Sequence, residues 1–283
     1  MRLLVTGASS FVGAHFCVRA AASHEVLALH HTTPLRLNGV TPLKADLRHR
    51  RDVSKVSRER FDAVVHLATK VKGKTAQETN AALMDAVLSL NVPIIYASST
   101  VVHWSKPSPY RDSRREDERR LMASGLPFAT VRPSAPYGPR LVNHRPRHKE
   151  SFHTLADWVR NSPVVPVIGD GRYRRQPIHV NDFSDSILSL LDRDLPNRAF
   201  DAGGGEALTM NRIVECLARA MNRSVRPLHL PKALFVQLAR VAPNFDPDLI
   251  AAVDEDEVTN NDELQEATGV TCRPFNKGVR CLI

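Results

Sequence analysis

The chain has 283 residues, of which 42% are apolar and 24% charged, a balance that suits a folded globular protein and excludes a wholly disordered one. At ~150 residues per domain, this length allows one large or two small domains. Lysine and arginine number 39 against 30 acids, for a net charge of +9, which admits nucleic acid, an anionic membrane or a phosphorylated small molecule as partner.

No apolar run approaches the ~18 residues of a membrane span, and Met1 to Gly7 is too short an apolar start for a secretory signal. The four cysteines, Cys17, Cys216, Cys272 and Cys281, form no metal-like pair and no disulfide framework, so a reducing cytoplasm and no metal are expected. The charge is segregated. Residues 241–272 carry nine acids and no lysine or arginine, so the rest of the chain sets all 39 bases against 21 acids, a surplus of 18. Two basic clusters, Arg48 to Arg60 and Arg111 to Arg120, are interleaved with acids and read as solvated helix faces. No helix-turn-helix, zinc-finger or aromatic RNA-binding signature accompanies them, so nucleic acid is the weakest partner.

In chain order, Arg2 to Thr6 reads as a strand. Gly7-Ala8-Ser9-Ser10-Phe11-Val12-Gly13 follows as a tight turn, then Ala14 to Ala22 as a helix and Glu25 to His30 as a second strand. Phe61 to Leu67 is a buried strand, Ala76 to Leu90 a helix and Pro93 to Ala97 a strand. Asp112 to Ala123 is a charged helix and Phe128 to Arg132 a strand. This alternation predicts a doubly wound parallel α/β sheet. Residues 140–150 are polar, basic and broken by proline, a loop. Helices follow at Ser151 to Arg160, Asp182 to Leu191 and Thr209 to Met221, with Thr209 as N-cap, and Ala199 to Ala202 is a short strand. Residues 1–139, completed by about 176–202, are expected to form the dinucleotide-binding domain, and 140–283 mainly the substrate-binding region.

The turn after the first strand carries chemistry. Gly7 permits a sharp turn, Gly13 a close approach of helix and strand, and the helix N-terminus offers free N–H groups to a pyrophosphate. The alternative is a plain glycine turn. The loop resembles the TGxxGxxG motif of extended and atypical short-chain dehydrogenases/reductases, the nucleotide-sugar epimerase/dehydratase group, with Ser10 in place of the middle glycine. The resemblance runs nearly end to end, through Ala45-Asp46-Leu47, His66-Leu67-Ala68 and Ser98-Ser99-Thr100-Val101-Val102-His103. It continues in Arg132-Pro133, Tyr137-Gly138-Pro139, Gly169-Asp170-Gly171, Arg175, His179-Val180-Asn181-Asp182 and Phe200 to Gly205.

The resemblance implies a Rossmann-type fold and an NAD(P) cofactor held by Gly7, Ser10, Phe11, Val12, Gly13, Asp46, Leu47, Leu67 and Ala68. At the tip of the second strand, Leu29-His30-His31-Thr32-Thr33 has no carboxylate for a ribose 2′-hydroxyl. His31 falls where NADP-preferring relatives carry a base, which favours NADP over NAD; the alternative is two solvent-exposed histidines and no discrimination. Tyr110 and Arg114 match the family's catalytic tyrosine and the lysine four residues on. Tyr110 is expected as acid–base group, Ser99 as the hydroxyl that orients the substrate oxygen, and both Tyr110 and Arg114 also beside the nicotinamide ribose. Arginine for lysine keeps the charge but not the shape. Either Arg114 does the lysine's work or catalysis has drifted. Arg115 is expected to point elsewhere. Asn143 and Arg175 match substrate contacts, Arg175 at the diphosphate of a nucleotide sugar. His179 reads as a packed or capping histidine.

The segment between Ser99 and Tyr110 is shorter than in epimerases of the group, and Thr100-Val101 replaces the Asp-Glu of its sugar dehydratases, which argues against water elimination. The sequence thus predicts a sugar-nucleotide 4-epimerase or 4-keto reductase. A catalytically weak dinucleotide-binding sensor is the alternative, and a homodimer through Ala76 to Leu90 and Asp112 to Ala123 the expected assembly.

Overall fold

The computed structural model describes residues 1–142, 144–148, 150–241 and 253–283. Seven strands build one sheet: β1 (Arg2–Thr6), β2 (Glu25–His30), β3 (Val40–Lys44), β4 (Ala63–His66), β5 (Ile94–Ala97), β6 (Phe128–Pro133) and, after a long excursion, β9 (Arg198–Ala202). All pair in parallel, in the order β3-β2-β1-β4-β5-β6-β9. A wholly parallel sheet needs crossovers over both faces, and its strands are apolar on both sides. Leu3, Val5, Val65 and Val131 accordingly pack on one face with Phe16 and Cys17 of α1 (Phe11–Ala20) and Phe183 and Ile187 of α6 (Val180–Leu191). Leu4, Val64, Ile94 and Tyr96 pack on the other, with Val56 of α2 (Arg50–Val56), Met84 and Val87 of α3 (Ala76–Leu88) and Leu121 of α4 (Pro109–Ala123). The strand order reverses between β1 and β4. Ligands bind in the crevice at the carboxyl ends of the strands at such a switch point.

The excursion between β6 and β9 includes α5 (Ser151–Asn161), β7 (Val164–Ile168), β8 (Arg174–Arg175) and α6, while β10 (Leu208–Thr209), α7 (Met210–Ala220), β11 (Arg226–Leu230) and α8 (Lys232–Val241) follow β9. Phe152, Val159, Val165, Val167, Ile213, Leu217 and Phe275 make a separate core there. Thr209 caps α7 by accepting from Arg212 N, and His179 caps α6 by accepting from Asn181 N at 3.2 Å.

Two sequence expectations need correction. The charged run Arg111 to Arg120 is not a solvated face throughout: Arg114, Asp117 and Glu118 of α4 are all buried. That helix also begins three residues early, because Ser108 caps it by accepting from Arg111 N at 3.1 Å and Pro109 fits its first turn. The acidic stretch docks onto the basic body. Asp254 pairs with Lys106 and Lys232, Asp256 with Arg174, Glu257 with Arg175 and Glu263 with Arg198.

Candidate active site

Four loops at the carboxyl ends of β1, β2, β4 and β5 converge. After β1, Gly7 takes φ +67, and a Cβ on it would meet Ala68 N at 2.6 Å and Leu67 C at 2.7 Å. A Cβ on Gly13 would lie 2.2 Å from Gly7 O. The chain therefore needs bare backbone at both positions. Ser10 needs no glycine: its backbone is extended, with φ −76 and ψ 169, and its hydroxyl caps α1 by accepting from Gly13 N at 3.0 Å. The turn is tied to β4 by Thr6 Oγ1, which accepts from Leu67 N and Ala68 N at 3.2 Å each and lies 2.7 Å from His66 Nδ1. Burial pushes the His66 imidazole down to about 3, with the Arg114 charge acting the same way. With two N–H groups on its oxygen, the Thr6 hydroxyl has its own O–H left to donate in a hydrogen bond to neutral His66. These features form a narrow cradle, with the start of α1 at one end and Leu67-Ala68 at the other. Phe11 is buried beneath it against His15 and His153, and Val12 is half-buried.

At the tip of β2, His31 is exposed, and its Nε2 lies 3.4 Å from Asp46 Oδ2. Asp46 is buried and held by Arg48, whose Nη2 donates to Oδ2 at 2.6 Å. That bond holds the Asp46 carboxyl down at about 2. Leu47 is buried beside it in the sheet's core.

After β5, Ser99 starts a 3-10 turn (Thr100–His103) with its hydroxyl accepting from Val101 N at 3.4 Å. Tyr110, in the first turn of α4, packs on Val101 and Trp104. Arg114 follows one helical turn on, its guanidinium carbon 5.4 Å from the Tyr110 ring centre. Residues four apart on a helix share a face, so the Tyr110-to-Arg114 spacing brings phenol and cation together. Burial raises the Tyr110 phenol above its ordinary value, while the Arg114 charge and the neighbouring Ser99 hydroxyl pull it down; Glu150 and Glu257 push it up. Arg115 turns away and donates from Nε to Val102 O at 2.7 Å.

Arg175 is linked to the Ser99 turn through Glu257, and it is internally engaged. It is 5% exposed, with Nη1 donating to Arg174 O at 2.9 Å and Glu255 O at 2.6 Å, and Nη2 donating to Val253 O. Its Nε is 3.6 Å from the buried Glu257 carboxylate. The guanidinium matched by the sequence to a diphosphate contact is thus already filled by partners about 80 residues away that fold onto it. Glu257 also accepts from Thr100 Oγ1, so a carboxylate stands beside the Ser99 turn although Thr100-Val101 supplies none. Asn143 lies outside the described residues. Glu150, at the start of α5, is pushed up to about 7 by burial. His144 Nε2 lies 2.9 Å from Ser9 O and pins the basic loop onto the glycine turn. No sequence pattern pointed to Glu150, Glu257, His144 or Asp117; each reaches the site through contacts distant in sequence or inside a run that looked solvated. Among the described residues, no cluster of histidine, cysteine, aspartate and glutamate could hold a metal, and no helix is long and apolar enough to cross a membrane. The four cysteines are unpaired, and burial pushes Cys17 and Cys272 up to about 12.

The fold is shared with solved enzymes. A UDP-glucose 4-epimerase of Thermotoga maritima, crystallised with UDP-glucose, superposes with a TM-score of 0.80 at 18% identity, covering 100% of this chain and 97% of that one. The Thermus thermophilus UDP-glucose 4-epimerase, in complex with NAD, gives 0.79 at 22% identity, with 100% and 97% covered. In sequence, a probable UDP-glucuronate 4-epimerase of Rhizobium meliloti is 23% identical over 319 aligned residues, spanning 89% of this chain and 91% of that protein. Residues 3–106 and 108–203 match the NAD dependent epimerase/dehydratase family. That match spans well over half of the chain, and the parallel sheet with its switch point between β1 and β4 agrees with it: the chain belongs to the NAD dependent epimerase/dehydratase family.

Proposed function

We propose that the protein is an NAD(P)-dependent oxidoreductase or epimerase acting on a nucleotide-activated sugar, as a 4-epimerase or 4-keto reductase, with Tyr110 as its acid–base group. The observation that carries this reading is the convergence of Ser99, Tyr110 and Arg114 beside the glycine cradle. The cradle fits a dinucleotide: bare backbone at Gly7 and Gly13 lets strand, loop and helix pack closely, and Ser10, Phe11 and Val12 open a helix whose N–H groups suit a pyrophosphate. Asp46 and Leu47 would border the adenine, and Leu67 and Ala68 the bound chain. His31, whose neighbouring carboxylate Asp46 is taken up by Arg48, would favour the 2′-phosphate of NADP.

A bound nicotinamide would supply the hydride acceptor. Tyr110, as phenolate, takes the proton from the sugar hydroxyl, and Ser99 donates a hydrogen bond to the same oxygen. Arg114 favours that phenolate, as a cation beside an acid does. In an epimerase the hydride would return to the opposite face of the sugar while Tyr110 gives its proton back; in a 4-keto reductase, loaded with reduced coenzyme, Tyr110 would instead give its proton to the ketone oxygen. Asn143 and Arg175 are the proposed substrate contacts; to grip a diphosphate bidentately, Arg175 must exchange Glu257 and its carbonyl partners for phosphate oxygens. A homodimer through α3 and α4 belongs to the same reading, and sedimentation tests it.

The filled state of Arg175 favours a second reading, a dinucleotide-binding protein with weak or no catalysis. One experiment separates the two. Purified protein is given NAD(H) or NADP(H) with a panel of nucleotide sugars and 4-keto sugars, and products are compared for the wild type and Tyr110→Phe. Turnover that the substitution abolishes supports the enzyme. Coenzyme binding without turnover supports the second reading.

A further inference from the structure

Arg114 sits in a pocket of polar side chains that the proposed reaction does not use. Asp117, three residues on along α4 and 2% exposed, brings its carboxylate to 3.4 Å from Nη2. The hydroxyl of Tyr96, fully buried on β5, donates to that same carboxylate at 2.9 Å. Nη2 also donates to Thr69 Oγ1 at 2.7 Å. The guanidinium carbon is 5.4 Å from the centres of both the Tyr96 and Tyr110 rings. One cation is thus fixed between two phenols, and one of those phenols holds the carboxylate that neutralises it.

This environment suits a guanidinium. Its planar fork has several donors and stacks on aromatic rings, whereas a lysine ammonium is a compact point charge. An unpaired charge so deeply buried is costly, and a carboxylate in contact removes much of that cost. The carboxylate also alters what Tyr110 feels, because the field of an ion pair falls off faster than that of a lone cation.

We propose that Asp117 is a positioning residue that acts on Tyr110 through Arg114: it fixes the guanidinium beside the phenol and cancels part of its charge there. The proposal rests on the reading of Tyr110 as acid–base group. Tyr110 is faced by Arg114 from its own helix, Ser99 and Tyr96 from the β5 side, Glu150 from the start of α5 and Glu257 from the docked acidic segment. Arg114 is faced by Tyr96, Tyr110, Asp117 and, from β4, neutral His66. Asp117 has Glu116 and Glu118 as charged neighbours. Asn in place of Asp117 keeps the shape and an oxygen for the Tyr96 hydroxyl, and removes only the charge.

The test is an ultraviolet phenolate titration without substrate, with each variant also made in a Tyr110→Phe background to isolate the Tyr110 transition and circular dichroism confirming the folded range. In Asp117→Asn, Tyr110 is expected to ionise at lower pH, with its acid dissociation constant raised about tenfold, the low end for removal of a neighbouring charge. The acid limb of the pH–rate profile moves the same way. The double variant Arg114→Gln with Asp117→Asn removes the ion pair as a unit and serves where the single change does not fold; there Tyr110 ionises at higher pH than in the wild type. An unchanged or higher Tyr110 transition in Asp117→Asn overturns the proposal, as does a double variant that titrates like the wild type. The two readings fail separately. A titration that shifts in a protein without turnover sinks the enzymatic reading alone, and an unmoved titration in an active enzyme sinks the role of Asp117 alone.

Discussion

Replacing Gly13 with alanine puts the cradle under direct strain. The new Cβ would stand 2.2 Å from Gly7 O, 2.8 Å from Gly7 C and 3.0 Å from Ala8 Cα. All three are backbone atoms, so no side chain can swing aside; α1 must back away from the loop. The bond from Gly13 N to Ser10 Oγ at 3.0 Å is then stretched or lost. Overpacking of this kind costs ~1–3 kcal/mol and a lost N-cap ~1 kcal/mol, so about 2–4 kcal/mol of stability is at stake. The same retreat moves the N–H groups at the start of α1 off the pyrophosphate. Each ~1.4 kcal/mol of lost binding is tenfold in affinity, and at least a tenfold loss is expected. Urea denaturation and calorimetric titration with NADPH measure both, with Val18→Ala on the exposed side of α1 as control. Stability within ~0.5 kcal/mol of the wild type together with unchanged coenzyme affinity would refute the claim that close helix–loop packing forms the anion site.

Glu257→Gln should lower stability by ~1–2 kcal/mol, below the usual cost of breaking a buried pair, because Arg175 keeps its carbonyl acceptors and glutamine keeps an oxygen for Thr100. It should also tighten UDP binding, which calorimetry reads; weaker binding contradicts the diphosphate role of Arg175. Glu150 has a native pKa of about 7 against an ordinary 4.5, so the folded state holds its proton longer than the unfolded chain. It therefore destabilises the fold increasingly as pH rises from 4.5 to 7. Glu150→Gln should stabilise by up to ~3 kcal/mol above pH 7 and by nothing below pH 4.5; an equal gain at both ends in denaturation curves contradicts this. His66 and His179, at about 3 and about 4 in the native state, work the opposite way. They stay neutral in the fold but take protons in the unfolded chain, so the stability they contribute is intact above pH 6.5 and drains as pH falls toward 3. Thermal melts across that range should show the decline, and it should shrink in His66→Gln.

Much of the fold was legible because the signals were local. Gly7 and Gly13 bracket a loop between an apolar strand and a helix, and the strand runs around Val64 and Ile94 are apolar on both faces. The edge strand β3 was not legible: Pro42 interrupts it, and most of its residues are exposed, so neither period nor composition marks it. Strands β8 and β10 have two residues each and β11 is almost wholly exposed, and all three exist through partners far along the chain. Within the site, the pairing of Tyr110 with Arg114 followed from the family's tyrosine-and-cation register, not from the predicted helix, which began only at Asp112. The burial of Asp117 did not, since a run alternating arginine and acid looks solvated until Tyr96 and Thr69 are found beneath it. Arg175 is the converse case. Its residue type suggested an open anion clamp, but the acidic segment that fills it is about 80 residues distant. Charge segregation was visible in the sequence; where the two halves meet was not.

The central claim is that Tyr110 governs hydride transfer between a sugar nucleotide and a dinucleotide held in the glycine cradle. Protein loaded with oxidised coenzyme and mixed rapidly with each member of a nucleotide-sugar panel reports this through the absorbance of reduced nicotinamide. A rise in the wild type with at least one sugar, slowed by ~100-fold or more in Tyr110→Phe as for loss of a general acid–base group, is the predicted result. A rise of equal rate in both proteins, or coenzyme bound tightly yet never reduced by any sugar, would contradict it.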